Sequence, residues 1–146
     1  ELIDDGIVAE AELTLPVLLD YFEQHPEALD RYLPRNNRFV FFKATGGAPP
    51  TGNLNVPVTA GRSIATDKTL MPPGALALIS LELPMPATAQ SWRSRPVNRF
   101  VLDQDTGGAI RGPGRVDIFV GTGSAAGQQA GLLNTGGQLY YLLLRQ

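Results

Sequence analysis

The sequence has no cysteine and a single histidine, His25. The first absence removes disulfides and thiolate metal ligands, and the second removes histidine-cluster metal sites and weakens any triad built on a His base. No apolar run approaches the ~20 residues that a membrane-spanning helix needs, so no transmembrane segment is expected. No charged-then-apolar segment opens the chain at Glu1 either, which gives the expectation of a mature or trimmed soluble piece. There is no lysine-rich stripe and no nucleic-acid-binding motif, and a nucleic-acid partner is not expected.

What is present is one domain's worth of chain. Its 146 residues suffice to bury roughly 68% of the surface that the unfolded form exposes. The net charge of −2 hides an asymmetry: residues 1–35 hold nine carboxylates against two arginines, whereas residues 36–146 hold five against ten basic groups. The second part should attract anions, and its modest excess suits an anionic polysaccharide.

The texture changes at the same place. From Thr14, Leu15, Leu18, Leu19 and Phe22 fall at helical spacing, with Thr14 as N-cap and Pro16 in the first turn. His25-Pro26 breaks this helix, and residues 27–33 form another turn or two before Pro34 stops it. Beyond Arg35 come short runs of β-branched and aromatic residues separated by Gly and Pro. Strands are expected at 39–43, 63–66, 75–83, 98–103, 115–120 and 138–145, loops at 45–53 and 84–95, and a short helix at 124–132. Six strands suggest a closed barrel behind a helical segment.

The carboxylates after Arg35 are Asp67, Glu82, Asp103, Asp105 and Asp117. Asp117 sits in Arg115-Val116-Asp117-Ile118-Phe119-Val120, where apolar flanks would favour its protonated form and suit it to glycosidic cleavage. Simple alternation gives the competing reading, with Val116, Ile118 and Val120 facing the core and Asp117 exposed. Asp105 opens Asp105-Thr106-Gly107-Gly108-Ala109-Ile110, whose glycines permit close backbone approach or positive φ. It is either a polar turn at a pocket or a carboxylate capping its own turn. Asp67, after Ser63-Ile64-Ala65-Thr66, reads as a strand-end turn residue. A single Asp-Thr-Gly triplet would demand a dimer to make an aspartic protease, and Gly121-Thr122-Gly123-Ser124 lacks the Lys-Ser/Thr ending of a phosphate loop.

Taken together, Phe39-Val40-Phe41-Phe42-Lys43, Val56-Pro57-Val58-Thr59-Ala60-Gly61-Arg62-Ser63-Ile64-Ala65-Thr66-Asp67 and Met71-Pro72-Pro73-Gly74 resemble, in order, the C-terminal part of the lytic transglycosylase A family. The block from Asp105 through Arg111-Gly112 to Val116-Asp117-Ile118-Phe119 and Gly121-Thr122-Gly123 is similar to that family's three-aspartate "3D" domain, with Asp67, Asp105 and Asp117 as its aspartates. The resemblance implies residues 1–35 as a helical connector and 36–146 as a six-stranded double-psi β-barrel. It implies an enzyme that cuts the β-1,4 bond between N-acetylmuramic acid and N-acetylglucosamine without water, leaving a 1,6-anhydro end. Asp117 and Asp105 would be catalytic, Asp67 supporting, and Thr106, Gly107, Gly108 and Arg111 substrate-binding, with no metal or cofactor. The implied partners are peptidoglycan glycan strands and an N-terminal part that family members carry. The implied location is the periplasm or cell envelope, outer-membrane-anchored through a lipoprotein N-terminus. A polysaccharide-binding barrel without catalysis is the alternative.

Overall fold

The computed structural model describes residues 1–37, 40–88 and 91–145, which form two compact units, Glu1–Ala44 and Thr45–Gln146. In the first unit a 3-10 turn at Glu10–Glu12 precedes α1 (Leu15–Gln24) and α2 (Glu27–Tyr32). The Thr14 hydroxyl caps α1 by accepting from the Val17 N–H, with Pro16 in the first turn. Pro26 starts α2, and the chain tightens into a 3-10 turn at Leu33–Arg35, where Pro34 has no N–H to continue an α-helix. Tyr32 is the anchor. Its ring meets Phe22 edge-on, and its hydroxyl donates to Asp5 at 2.7 Å. Arg31 and Arg35 lie over its ring at 5.1 and 5.4 Å. The two arginines of this acidic part are thereby spent on holding it together.

The second unit is a mixed sheet of five strands in the order β4-β1-β3-β2-β5: β1 (Ser63–Ala65), β2 (Leu76–Pro86), β3 (Trp92–Asp105), β4 (Asp117–Ile118) and β5 (Gly137–Tyr141). Only β1 and β3 run parallel. The helix α3 (Ser124–Leu132) connects β4 to β5. One face buries Ile64, Ala77, Ile79 and Val101, with Leu81, Val116, Ile118, Leu139 and Tyr141 packed against them. The other face carries Leu76, Leu78, Phe100, Leu102 and Tyr140, paired in register, and all but Leu78 are exposed.

This differs from the expected six-stranded barrel: among the described residues the sheet has five strands and does not close. The sixth was placed at 39–43. Phe39 lies outside the described residues, and residues 40–43 form no strand, Phe41 and Phe42 being 92% and 96% exposed. An extended apolar run becomes a strand only where a neighbour supplies hydrogen bonds. The loop expected at 84–95 is instead the far end of a hairpin, paired from Leu76↔Leu102 to Pro86↔Trp92. Its prolines misled the expectation. They are tolerated because β5 pairs with β2 only from Ala77 to Leu81, so the outer end of the hairpin has free edges. The strands expected at 115–120 and 138–145 shrink to β4 and β5.

Candidate active site

The site is organised by β1. Ala65 pairs with Asp105 of β3 on one side and with Asp117 of β4 on the other, so both carboxylates flank the same residue in one row of the sheet. Two strand spacings separate their backbones by about 10 Å. Both line a small cavity of about 220 Å³, together with Val58, Ile110 and Phe119. Asp117 also borders a larger cleft of about 860 Å³, whose walls include Met71, Leu133, Asn134 and Tyr141.

The two carboxylates are held differently. Asp117 receives two hydrogen bonds from the Arg115 guanidinium, at 2.9 Å from Nε and 3.3 Å from its terminal nitrogen. Its side chain is 46% exposed, so the dry surroundings expected around it are not formed by this chain. Val116 and Ile118 do face the core, as alternation requires. Asp105 caps no turn of its own; its Oδ1 accepts from the Asn53 N–H at 2.9 Å.

The remaining expected residues have definite places. The Thr106 hydroxyl donates to the Thr66 carbonyl at 2.9 Å, a tie between the loop after β3 and the end of β1. Gly107 and Gly108 do not use positive φ; in this loop that conformation falls to Gly112, at φ 80°. A side chain at Gly107 would press on Ile110, whereas Gly108 faces open space. Arg111 is exposed and donates to the Gly108 carbonyl at 3.2 Å, with its guanidinium 3.9 Å from Asp67. Asp67 is the buried clasp of this region. It accepts from the Gly112 N–H at 2.8 Å and from the Thr69 N–H and hydroxyl at 3.0 and 2.7 Å.

Sequence reasoning passed over Asp103. This carboxylate is fully buried on the core face of β3, where it accepts from Lys68, from the Thr66 hydroxyl at 2.7 Å and from the Tyr141 hydroxyl at 2.6 Å. Its signal was faint: an aspartate inside an apolar strand, with its partners 35 to 38 residues away. Asn53 was missed as well, because it acts through a backbone N–H that carries no residue-type signature, and so was Gly52, because the close approach that requires a glycine there comes from residues 104 and 105.

Two groups set limits of pH stability. The Gly112 N–H, followed by the Thr69 hydroxyl and N–H, holds the Asp67 carboxyl down to about 2. Its stabilising contribution is therefore present above the ordinary 3.8 and lost as pH falls through about 2. Burial, followed by the hydrogen bond to Asp103, pushes the Tyr141 phenol up to about 12. That contribution is present below the ordinary 10.0 and lost as pH rises through about 12. Thermal melts across pH are expected to show Asp67→Asn flattening the acid side of the profile and Tyr141→Phe the alkaline side. Unchanged slopes would remove these two groups as the cause.

Residues 62–143, which hold the small mixed sheet and the three aspartates, match the family model of the 3D domain. Residues 1–43 match that of the MltA specific insert domain. The chain is 34% identical over 142 residues to membrane-bound lytic murein transglycosylase A of Escherichia coli (strain K12), covering 97% of this chain and 38% of the relative. The Vibrio cholerae protein of the same name is 31% identical over the same shares. Among solved structures, a membrane-bound lytic murein transglycosylase from Agrobacterium tumefaciens superposes with TM-score 0.79 at 32% identity, over 97% of this chain and 38% of that one. E. coli MltA with bound chitohexaose superposes with TM-score 0.77 at 32% identity, over 96% of this chain and 41% of that one. The chain belongs to the membrane-bound lytic murein transglycosylase A family. It spans 38% of the length of the curated relatives it matches.

Proposed function

We propose that this chain is part of a peptidoglycan lytic transglycosylase that cleaves the β-1,4 bond between N-acetylmuramic acid and N-acetylglucosamine without water and forms a 1,6-anhydro end. The observation that carries the reading is the pairing of Asp105 and Asp117 with one residue, Ala65, beside a shared cavity. The relative with bound chitohexaose supports a glycan as the substrate class. In the proposed reaction the Asp117 carboxylic acid protonates the leaving glycosidic oxygen. As carboxylate it then takes the proton from the C6 hydroxyl, whose oxygen attacks C1 and closes the anhydro ring. One carboxyl group serves both steps, so the second catalytic carboxylate of ordinary glycosidases is not required.

Asp105 orients and electrostatically tunes Asp117 in this reading, and Asp67 supports the loop between them. Thr106, Gly107, Gly108 and Arg111 form the substrate edge, with the exposed guanidinium of Arg111 offering its remaining donors to a muramoyl or peptide carboxylate. The five-stranded sheet becomes a six-stranded double-psi barrel when further polypeptide of the same enzyme pairs with its open edges. The exposed face of Leu76, Phe100, Leu102 and Tyr140 gives that polypeptide an apolar seat. Residues 1–35 serve as the connector into the barrel. The membrane-bound relatives support a place in the cell envelope; in this reading the enzyme works on the periplasmic side and is anchored at the outer membrane through a lipoprotein N-terminus.

Mass spectrometry of the products released from purified peptidoglycan by the complete protein tests the reaction. The expected muropeptides are lighter by one water than the hydrolysis products. Reducing, hydrated ends would mean a hydrolase, and no release with retained glycan binding would leave a binding barrel.

A further inference from the structure

Asp105 stands at the end of β3 with nothing after it in the sheet, so its direction depends on what lies behind it. That support comes from the loop between Thr51 and Pro57, which are joined by an isolated bridge. The loop closes on itself: the Gly52 N–H donates to the Val56 carbonyl at 3.3 Å, and the Asn55 N–H to the Gly52 carbonyl at 2.9 Å. Asn55 takes a left-handed φ of 56° to complete the turn. Braced by these bonds, the loop presents two successive N–H groups to the end of β3. Asn53 donates to the Asp105 carboxylate at 2.9 Å and Leu54 to the Gln104 carbonyl at 3.3 Å. The Gln104 side chain is fastened in turn by the Ser63 hydroxyl of β1.

Gly52 makes this approach possible. A Cβ there would lie 2.6 Å from the Gln104 carbonyl oxygen and 3.0 Å from Asp105 Cβ. Neither can yield cheaply: the first is backbone inside the sheet, and the second is the root of the carboxylate itself.

The geometry points to the Gly52–Asn53 backbone as a positioning element of the active site: it fixes Oδ1 of Asp105, a residue that lines the cavity shared with Asp117. A backbone donor suits the task because it cannot titrate or change rotamer. This inference rests on the proposed role of Asp105, and its test separates the two.

In the complete enzyme Gly52→Ala is expected to lower kcat roughly 100-fold with KM within about twofold, as for a catalytic group displaced by ~1 Å. The split between kcat and KM separates positioning from a merely structural role, and NMR on this chain reads the hydrogen bond itself. The Asn53 amide is expected to exchange slowly with solvent in the native chain and to lose both its protection and its hydrogen-bonded chemical shift in Gly52→Ala. Fast exchange of Asn53 in the native chain overturns the inference without any variant. If Asp105→Asn lowers kcat while a folded Gly52→Ala does not, the inference fails and the reading of Asp105 stands. If Asp105→Asn leaves kcat intact, the role of Asp105 fails first and takes its positioning element with it.

Discussion

Asp117→Asn in the complete enzyme is expected to lower glycan cleavage by roughly 10²–10⁴-fold, the span associated with one general acid–base group. The upper end is the expectation, because the same carboxyl would act twice, once to donate a proton and once to accept one. Glycan binding should survive, since the amide keeps the size of the carboxyl and the cavity walls are untouched. The change also removes one partner of the ion pair with Arg115. That pair is half-exposed on both sides, so solvent screens it and its loss is expected to leave the Tm essentially where it was. Lost turnover with an unchanged Tm is therefore the diagnostic combination. Full retained turnover would pass the acid–base role to another group, with Asp105 the next to test.

Asp103→Asn is expected to have the largest effect on stability. It leaves the Lys68 ammonium, mostly buried, without its counter-charge. Breaking a buried pair by removing one partner costs about 3–5 kcal/mol. Small domains have only about 5–15 kcal/mol in total, so a large part of the folded population is at risk. A second substitution, Lys68→Met, should recover part of the loss by removing the stranded charge. Tyr141→Phe, which deletes one of the three donors to the Asp103 carboxylate, should cost about 1.5–3 kcal/mol. Urea denaturation of the three variants separates these outcomes. An Asp103→Asn midpoint close to that of the native chain would show that the network is not where the stability lies.

The helical part was legible almost residue by residue. Its signals are local: Thr14 before an apolar spacing, Pro16 in the first turn, Pro26 between two helices. The positions of five of the six expected strands were legible too, though not their lengths, because prolines 84, 86 and 96 stop a strand only where both of its edges are occupied. The barrel was not formed. Closing a sheet needs partners for both edges, and the apolar spacing of residues 40–43 says nothing about whether a partner is present.

The candidate site divides in the same way. Residue types and their order pointed to Asp67, Asp105 and Asp117, because carboxylates among glycines and apolar residues are few in this chain and their block resembles a known one. Their arrangement could not be read from spacing. The sequence separation of 12 between Asp105 and Asp117 is compatible with many distances, and only the pairing of both with Ala65 sets them in one row. The buried donors to Asp103 and the backbone support of Asp105 lay equally out of reach. By itself, then, the sequence determined the class of the chain, its helices and its three aspartates, since propensity, capping and motif act over a few residues. Tertiary structure alone decided which carboxylate is buried, which is clasped and which is left half-open beside Arg115, because burial and hydrogen-bond partners come from segments about 40 to 50 residues apart that only the folded sheet brings together.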